Sequence, residues 1–300
     1  MLERSLALVA APGRSVHSVS SVVSRNVSKM DSIRKVVVLA AGKGTRMRSR
    51  RDGVRLSGPQ AEVADTGIKA LIPVGRPFLD FVLAGVADAG YREVCLVIGP
   101  RHHELRERYS QVTDERLRLA FAVQQQPLGT AHALLSAHSF VGSDEFLLIN
   151  SDNYYPISAL HALRTLNQPG LVGFDARALT EKGNIPAERV TNYAIVQSDE
   201  NGYLSNIVEK PDPLHVQVDE DSRLVSMNCW RFGPSIWEAC AAIQKSSRGE
   251  FELPDAVESS MLELGQRYRV VTSHEPVLDL SCRNDIESVA RLLQGVEVNW

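Results

Sequence analysis

A glycine-rich segment near the start of the chain carries the clearest chemical signal. Residues 39–47 read Leu-Ala-Ala-Gly-Lys-Gly-Thr-Arg-Met and directly follow an apolar, β-branched run. Small residues and glycines let the backbone approach a ligand closely, and successive backbone N–H groups form nests that bind anions. Lys43 and Arg46 add positive charge to the same segment. The segment therefore predicts a loop that binds the phosphates of a nucleotide.

Two common phosphate-binding motifs do not fit this loop. A dinucleotide fingerprint requires GxGxxG, but the sixth position counted from Gly42 is Met47. A P-loop requires GxxxxGK followed by Ser or Thr, but Lys43 is followed by Gly44, and Val37 stands where the first glycine belongs. The loop belongs to neither class.

Residues 39–47 closely resemble the signature of the sugar-phosphate nucleotidylyltransferases. That family includes glucose-1-phosphate thymidylyltransferases, uridylyltransferases and N-acetylglucosamine-1-phosphate uridyltransferases, and the resemblance extends over residues 33–290. It implies that Arg46 steadies the leaving pyrophosphate. It also implies that the nucleotide is bound by Leu39, Ala40, Ala41, Gly42, Lys43, Gly44 and Thr45.

Two further segments extend the resemblance to the reacting phosphate and the base. Residues 69–74 are similar to the family's K-x-L-x-P-V segment and imply that Lys69 contacts phosphate oxygens near the reacting centre. The Q-x-x-x-x-G-T-A segment that reads the base is matched by Gln124, Gly129 and Thr130. An amide offers a donor and an acceptor to a pyrimidine edge, whereas family members that use a purine would carry an acidic residue at position 124. The resemblance therefore favours UTP or dTTP.

Residues 49–67 lengthen the interval between Arg46 and Lys69 beyond the family pattern. The stretch is rich in Arg, Asp and Gly and contains a proline, so we expect an exposed loop. A loop of this length in a compact domain is often a lid or a binding element. A tolerated surface insertion is the alternative.

Two carboxylates are assigned to a magnesium ion. The apolar run 146–149 leads to Asp152, which resembles the family's Gly-Asp motif with a serine replacing the small residue. A carboxylate at the carboxyl end of a parallel strand faces the ligand crevice of an α/β sheet, and Mg²⁺ takes one or two carboxylates together with phosphate oxygens. Residues 276–286 resemble the family's D-I-G-T-P-E-D segment more loosely and imply that Asp279 is the second ligand. The alternative for Asp279 is a turn residue.

The family's V-E-K-P segment is matched at residues 208–211. The resemblance implies that Glu209 binds sugar hydroxyls and that Lys210 binds the sugar phosphate. Charge-assisted hydrogen bonds of this kind are about twice as strong as neutral ones.

Two other positions assigned to the sugar depart from the family pattern. Tyr193 is followed by Ala194 where Tyr-Gly is usual, and Asn228 precedes Trp230 where Asn-x-Gly is usual. Trp230 would either fill space or offer a stacking face. These changes leave the sugar open and allow a substrate other than a common hexose.

Alternating strand-like and helix-like stretches must position these residues. The run 35–40 is β-branched and nearly continuous, as in a strand buried on both faces. Further strands are predicted at 93–98, 117–123, 145–149, 193–197, 204–209, 224–232 and 268–272. Helices are predicted at 78–89, 102–109, 130–139, 157–166, 235–244, 253–264 and 284–293. The fold class is therefore α/β, with a mostly parallel mixed sheet and helices on both faces. The resemblance makes it a Rossmann-like nucleotidyltransferase fold with a smaller sugar-binding lobe.

One domain over residues 33–300 explains this pattern, with a nucleotide-binding half at 33–170 and a sugar-phosphate and metal half at 171–300. Residues 1–32 are rich in Ser and Val and poor in acid. They are either a transit-like extension or a disordered leader ahead of Met30.

Composition narrows the function classes. The chain has 300 residues and a formal net charge of −3, so no global positive field indicates a nucleic-acid partner. No apolar run approaches the roughly 20 residues that span a bilayer, so we expect no membrane association. Four cysteines without a CxxC pair predict free thiols in a reducing compartment, and hence a cytoplasmic protein. The histidines at 102, 103, 132 and 138 are expected to be ordinary polar or packing residues, and a homo-oligomer remains open.

The predicted function is Mg²⁺-dependent coupling of a nucleoside triphosphate to a sugar 1-phosphate, with release of pyrophosphate. One alternative is a non-catalytic sugar-nucleotide sensor or regulatory subunit with the same fold. Another is a nucleotidyltransferase that acts on a phosphorylated alcohol such as phosphocholine.

Overall fold

The first apolar run forms β1 (Lys35–Ala40), whose residues Val36, Val37 and Val38 are fully buried. In this computed structural model, residues 32–50, 54–112, 115–208 and 223–299 are described. Successive side chains of a strand point to opposite faces of a sheet. Val36 and Val38 accordingly pack into one apolar core and Val37 into another. The expected strand with two buried faces is confirmed.

The other described elements alternate along the chain much as the pattern predicts. The strands are β2 (Glu93–Ile98), β3 (Arg118–Val123), β4 (Phe146–Asn150), β5 (Asn153–Tyr154), β6 (Gly170–Asp175), β7 (Ile195–Ser198), β8 (Leu204–Val208), β9 (Leu224–Phe232), β10 (Arg269–Ser273) and β11 (Leu278–Asp279). The helices are α1 (Thr45–Arg48), α2 (Gly58–Thr66), α3 (Phe78–Asp88), α4 (His103–Ser110), α5 (Thr130–Leu135), α6 (His138–Val141), α7 (Ile157–Thr165), α8 (Ala176–Glu181), α9 (Ala187–Val190), α10 (Ser235–Ala242), α11 (Leu253–Glu263) and α12 (Asp285–Leu292). A 3₁₀ turn covers Lys69–Leu71.

The described strands build one large mixed sheet and one small one. The large sheet has the order β10-β6-β9-β4-β1-β2-β3, with β7 joining β9 and β8 joining β7. β1 pairs in parallel with β2 and β4, β2 with β3, and β6 with β10, whereas β9 runs antiparallel to its neighbours. β5 and β11 form a separate antiparallel pair. The prediction of a mostly parallel mixed sheet is confirmed.

Helices cover both faces of the sheet. One core contains buried residues of α3, α7 and α12, and the other contains buried residues of α5, α10 and α11. Trp230 lies in the second core, 5.4 Å from the ring of Phe232 and 5.7 Å from that of Tyr268, and is 1% exposed. It therefore fills space, and the alternative of a stacking face for the sugar is wrong.

The exposed loop predicted over 49–67 is wrong for half of its length, because α2 occupies Gly58–Thr66. Ser57 caps this helix: its Oγ accepts the N–H of Gln60 at 3.4 Å, and its own N–H donates to Gln60 Oε1 at 3.1 Å. This reciprocal pair is a capping box. Gly67 ends the helix in the left-handed conformation, with φ 80°.

Two other differences have local causes. The single helix predicted over 130–139 is divided into α5 and α6 at residues 136–137. β6 was not predicted, because two glycines dilute its apolar pattern. Gly170 is needed there, since a side chain at this position would overlap the backbone of Arg269. No helix of the described chain combines the length and the apolar character needed to cross a membrane.

Candidate functional site

The carboxyl ends of β1, β3 and β4 open onto a cleft of about 420 Å³. Ligands of α/β sheets bind outside the carboxyl ends of the strands. Glu250 and Ala133, which the sequence did not single out, also line this cleft. The predicted residues that line it are Leu39, Ala40, Ala41, Gly42, Lys43, Gly44, Thr45, Arg46, Lys69, Gln124, Gly129, Thr130, Asp152 and Asn228.

The glycine loop turns sharply between β1 and α1. Gly44 has φ 61°, and a side chain there would overlap the backbone of Gly67 at the end of α2. Only glycine allows this close approach of two backbones. Arg283 supports the same region, because its Nε donates to the carbonyl of Met47 at 2.9 Å and its guanidinium pairs with Asp65 of α2. Contacts with α2 therefore stabilise the conformation of the glycine loop.

Lys69 and Asp152 meet in the cleft although 83 positions separate them. Lys69 Nζ lies 2.7 Å from Asp152 Oδ2, and their side chains are 17% and 25% exposed. The other oxygen of Asp152 accepts no hydrogen bond from any described residue. The pair places a fixed cation and an open carboxylate oxygen beside the glycine loop.

Asp279 lies behind this pair. The pairing of β11 with β5 sets Asp279 opposite Asn153, the neighbour of Asp152. Its Oδ1 accepts from Asn153 Nδ2 at 3.0 Å, and its Oδ2 accepts from Arg189 at 2.9 Å and from the Tyr193 hydroxyl at 3.3 Å. Burial raises the pKa of Asp279 and the charge of Asp152 raises it further, whereas Lys69 and Arg189 oppose the shift.

The sequence did not indicate Arg189, which binds two carboxylates at once. Besides Asp279, it contacts both oxygens of Asp285, at 3.0 and 2.8 Å. Burial lowers the pKa of Arg189, but the hydrogen bond and charge of Asp285 and then those of Asp279 raise it above its usual value on balance. Asp285 also accepts the backbone N–H groups of Ser281 and Cys282. Arg189 therefore fixes the segment that carries Asp279. Because 90 positions separate it from Asp279, no local pattern could have identified it.

Gln124 follows β3 and is 5% exposed. Its Nε2 lies 3.0 Å from the Gly129 carbonyl and 3.1 Å from Nδ1 of His132. Gly129 has φ 110°, and a side chain there would overlap the backbone of Phe251. His132, expected to be an ordinary polar or packing residue, thus contacts the residue predicted to read the base.

The segment that carries Glu250 and Phe251 forms one wall of the cleft through Glu250 and was also missed. Its backbone pairs with the turn before α5: the Phe251 N–H donates to the Leu128 carbonyl at 2.7 Å, and the Ala131 N–H donates to the Phe251 carbonyl at 3.0 Å. Thr130 Oγ1 accepts the N–H of Leu253 at 2.9 Å. Thr130 therefore holds this wall in place.

The residues assigned to the sugar are only partly brought together. Asn228 lines the cleft with φ 55°, a left-handed conformation that asparagine tolerates better than most residues. Tyr193 reaches Asp279 instead of the cleft lining, and burial raises the pKa of its hydroxyl. Glu209 and Lys210 lie outside the described residues.

Proteins with similar sequences carry related descriptions. The chain is 28% identical over 233 residues to the low-salt glycan biosynthesis nucleotidyltransferase Agl11 of Haloferax volcanii, covering 77% of this chain and 58% of the relative. It is 28% identical to a glucose-1-phosphate thymidylyltransferase of Streptomyces antibioticus, covering 75% and 56%. It is 25% identical to the UTP–glucose-1-phosphate uridylyltransferase AglF of H. volcanii, covering 87% and 96%. The chain thus spans a little over half the length of the first two relatives and nearly all of AglF.

Solved structures share the fold. A UDP-glucose pyrophosphorylase complexed with UDP-glucose superposes with a TM-score of 0.69 at 18% identity, covering 88% of this chain and 100% of that one. The UDP-glucose pyrophosphorylase from Acinetobacter baumanii gives 0.63 at 20% identity, covering 89% and 95%. The family model described as "Nucleotidyl transferase" matches residues 35–280, which include every element that lines the cleft. On this match the chain belongs to the nucleotidyl transferase family.

Proposed function

We propose that the chain is a Mg²⁺-dependent sugar-1-phosphate nucleotidylyltransferase that uses UTP or dTTP. The observation that carries the proposal is the Lys69–Asp152 pair, which lies beside the glycine loop in one cleft. The relatives' descriptions as glucose-1-phosphate thymidylyltransferase and uridylyltransferase support the sugar 1-phosphate as acceptor.

The reaction is an in-line displacement at phosphorus. An oxygen of the sugar 1-phosphate forms a bond to the α-phosphorus, the bond to the β-phosphate oxygen breaks, and pyrophosphate leaves with the electron pair. The attacking phosphate is already ionised at neutral pH, because its second pKa is about 6. No general base is required, so catalysis comes from positioning and from neutralising charge. Lys43, Arg46 and Lys69 supply positive charge along the triphosphate, and Lys210 is assigned to the sugar phosphate.

The donor atoms fit magnesium. Asp152 offers a partly exposed carboxylate with one open oxygen. Asp279 lies behind it, where Oδ1 accepts from Asn153 and the Ser281 side chain is a further hydrogen-bond partner of the carboxylate. Mg²⁺ prefers one or two carboxylates plus substrate phosphates over a cage made of protein ligands. Among the described residues, no three His, Cys, Asp or Glu side chains cluster so as to hold a metal ion by themselves. Asp152, with Asp279 behind it, would hold the ion, which would supply positive charge against the charge that develops in the transition state.

Pyrophosphate release by the purified protein with Mg²⁺ tests the proposal, across UTP, dTTP, CTP, ATP and GTP and a panel of sugar 1-phosphates. We expect release with UTP or dTTP and with one or a few sugars. No release with any pair, from protein shown to be folded, would contradict the proposal.

Asp152→Asn is the matching variant, because the amide keeps the shape and removes the charge that holds the metal. We expect turnover to fall at least about a hundredfold, as removing one electrostatic group from a phosphoryl-transfer site commonly does. Circular dichroism and thermal unfolding should show an unchanged fold. Asp144→Asn is the control, since that carboxylate pairs with Lys35 away from the cleft. Full activity of Asp152→Asn at ordinary Mg²⁺ would exclude Asp152 as the metal ligand.

A further inference from the structure

Both N–H groups of the Gln124 amide are engaged within the protein. The amide nitrogen lies 3.0 Å from the Gly129 carbonyl oxygen and 3.1 Å from His132 Nδ1. A carbonyl oxygen only accepts hydrogen bonds, so the amide atom that faces Gly129 is the nitrogen. The chemistry of this contact fixes which way the amide points.

His132 takes the second N–H. Because the amide nitrogen only donates, Nδ1 of His132 accepts this hydrogen bond, which places the ring N–H on Nε2. The ring also stacks on Phe251, with centroids 6.4 Å apart and planes 23° apart. This packing holds His132 where Nδ1 accepts the second N–H of the Gln124 amide.

The oxygen of the amide is the atom left for a ligand. Gln124 lines the cleft, is 5% exposed, and receives no hydrogen bond at Oε1 from any described residue. A buried acceptor without a donor costs free energy that a ligand recovers if it brings an N–H. A ligand that brings another acceptor to this point is rejected.

We propose that His132 makes Gln124 an acceptor-only reader of the base, so that the cleft selects a pyrimidine whose ring nitrogen N3 carries a proton. The inference rests on the proposed function and deepens it. Uracil and thymine carry N3–H. Cytosine presents an unprotonated acceptor at N3, which meets the Gln124 oxygen unfavourably. His132 is a positioning residue for specificity, because it acts on the base through Gln124.

The test compares UTP, CTP and N3-methyl-UTP for binding by calorimetry in the presence of Mg²⁺. The unaltered protein should bind UTP at least about tenfold more tightly than either of the others, since each leaves the buried oxygen without a donor. Equal binding of UTP and N3-methyl-UTP would overturn the proposal. This comparison needs no variant, so it decides the point even if a substitution at position 132 does not fold.

His132→Phe tests the part assigned to the histidine. Phenylalanine keeps a ring against Phe251 but removes Nδ1, so one of the two contacts that hold the amide is lost and Oε1 is no longer fixed in one orientation toward the base. The preference for UTP over CTP should shrink about fivefold or more relative to the unaltered protein. His138→Phe is the control, since its ring packs on Trp237 and it does not line the cleft, and its preference should not change.

The outcomes separate the two proposals. An unaltered UTP preference in folded His132→Phe would overturn the role of His132. Failure of the folded, unaltered protein to bind any triphosphate would instead contradict the proposed function.

Discussion

Two neighbouring carboxylates each lie against their own cation, Asp152 against Lys69 in the cleft and Asp279 against Arg189 behind it. Burial raises the pKa of Asp279, and repulsion from the nearby charge of Asp152 raises it further. The cations reduce that repulsion and hold each side chain in one orientation. At the residue scale, the site is organised by these pairings of carboxylate and cation.

Arg189→Met should destabilise the protein strongly. Asp279 and Asp285 are 5% and 4% exposed at their side chains, and the substitution leaves both without their cation. Removing one partner of a buried ion pair costs about 3–5 kcal/mol. Urea unfolding followed by circular dichroism measures the loss. Arg189→Lys should lose less, because it keeps the charge but not the bidentate geometry.

Arg267→Met is the matched control for that prediction. Its partner Asp199 and Arg267 itself are 37% and 58% exposed, and an exposed pair is worth at most about 1 kcal/mol. A loss at position 189 no larger than that at 267 would show that Arg189 does not stabilise the buried carboxylates.

The sequence predicted single residues where a motif carried them. Lys69, Asp152 and Gln124 lie in short segments that match family motifs, and the structure places all three in the cleft. Arg189 and His132 were not predicted as site residues. Their roles arise from contacts with Asp279 and Gln124 that exist only after folding.

At the scale of elements, α2 shows how a few polar residues start a helix. Ser57→Ala removes the side chain that accepts the N–H of Gln60. Loss of such a cap costs about 1 kcal/mol, so the urea midpoint should fall while the slope of the transition is unchanged. Ser110→Ala is the control, because Ser110 is the last residue of α4 and does not cap the start of a helix. It should change stability by less than about 0.5 kcal/mol. Equal stability of Ser57→Ala and the unaltered protein would show that the capping box is not stabilising.

The elements that sequence predicted best are those with dense apolar patterns, such as β1 and α3. α2 was missed because its residues are mostly polar and small, although Ser57 and Gln60 spell its capping signal. The apolar pattern of a sequence indicates which residues are buried. A helix that buries few residues, such as α2, can therefore be predicted only from its capping residues.

At the scale of the whole molecule, the cleft joins segments from residue 39 to residue 250, so the binding site exists only in the folded chain. A ligand that binds the folded state alone stabilises it. UTP with Mg²⁺ at 100 times its dissociation constant should raise the free energy of unfolding by about 2.7 kcal/mol. Thermal unfolding at increasing UTP measures the shift.

The same titration without Mg²⁺, and with Asp152→Asn, provides the control. Both should lose the part of the shift that depends on the metal. A transition that stays fixed at saturating UTP would contradict nucleotide binding in this cleft.

The order of the strands is the feature of the whole molecule that sequence could not supply. Alternating strands and helices predicted the parallel pairs around β1. The insertion of β9 between β4 and β6 joins residues about 80 positions apart by contacts that no local pattern records.

The contact between Gly44 and Gly67 divides the stretch 49–67 into two parts with different tolerance to change. Among the described residues ahead of α2, Arg50 pairs with Asp65 on the helix and Leu56 packs against the apolar core. Gly67 at the end of α2 lies directly against the glycine loop, and a side chain there would lie 3.1 Å from the carbonyl oxygen of Lys43. A deletion in this stretch would therefore need to end before the helix cap at Ser57 if the glycine loop is to keep its conformation.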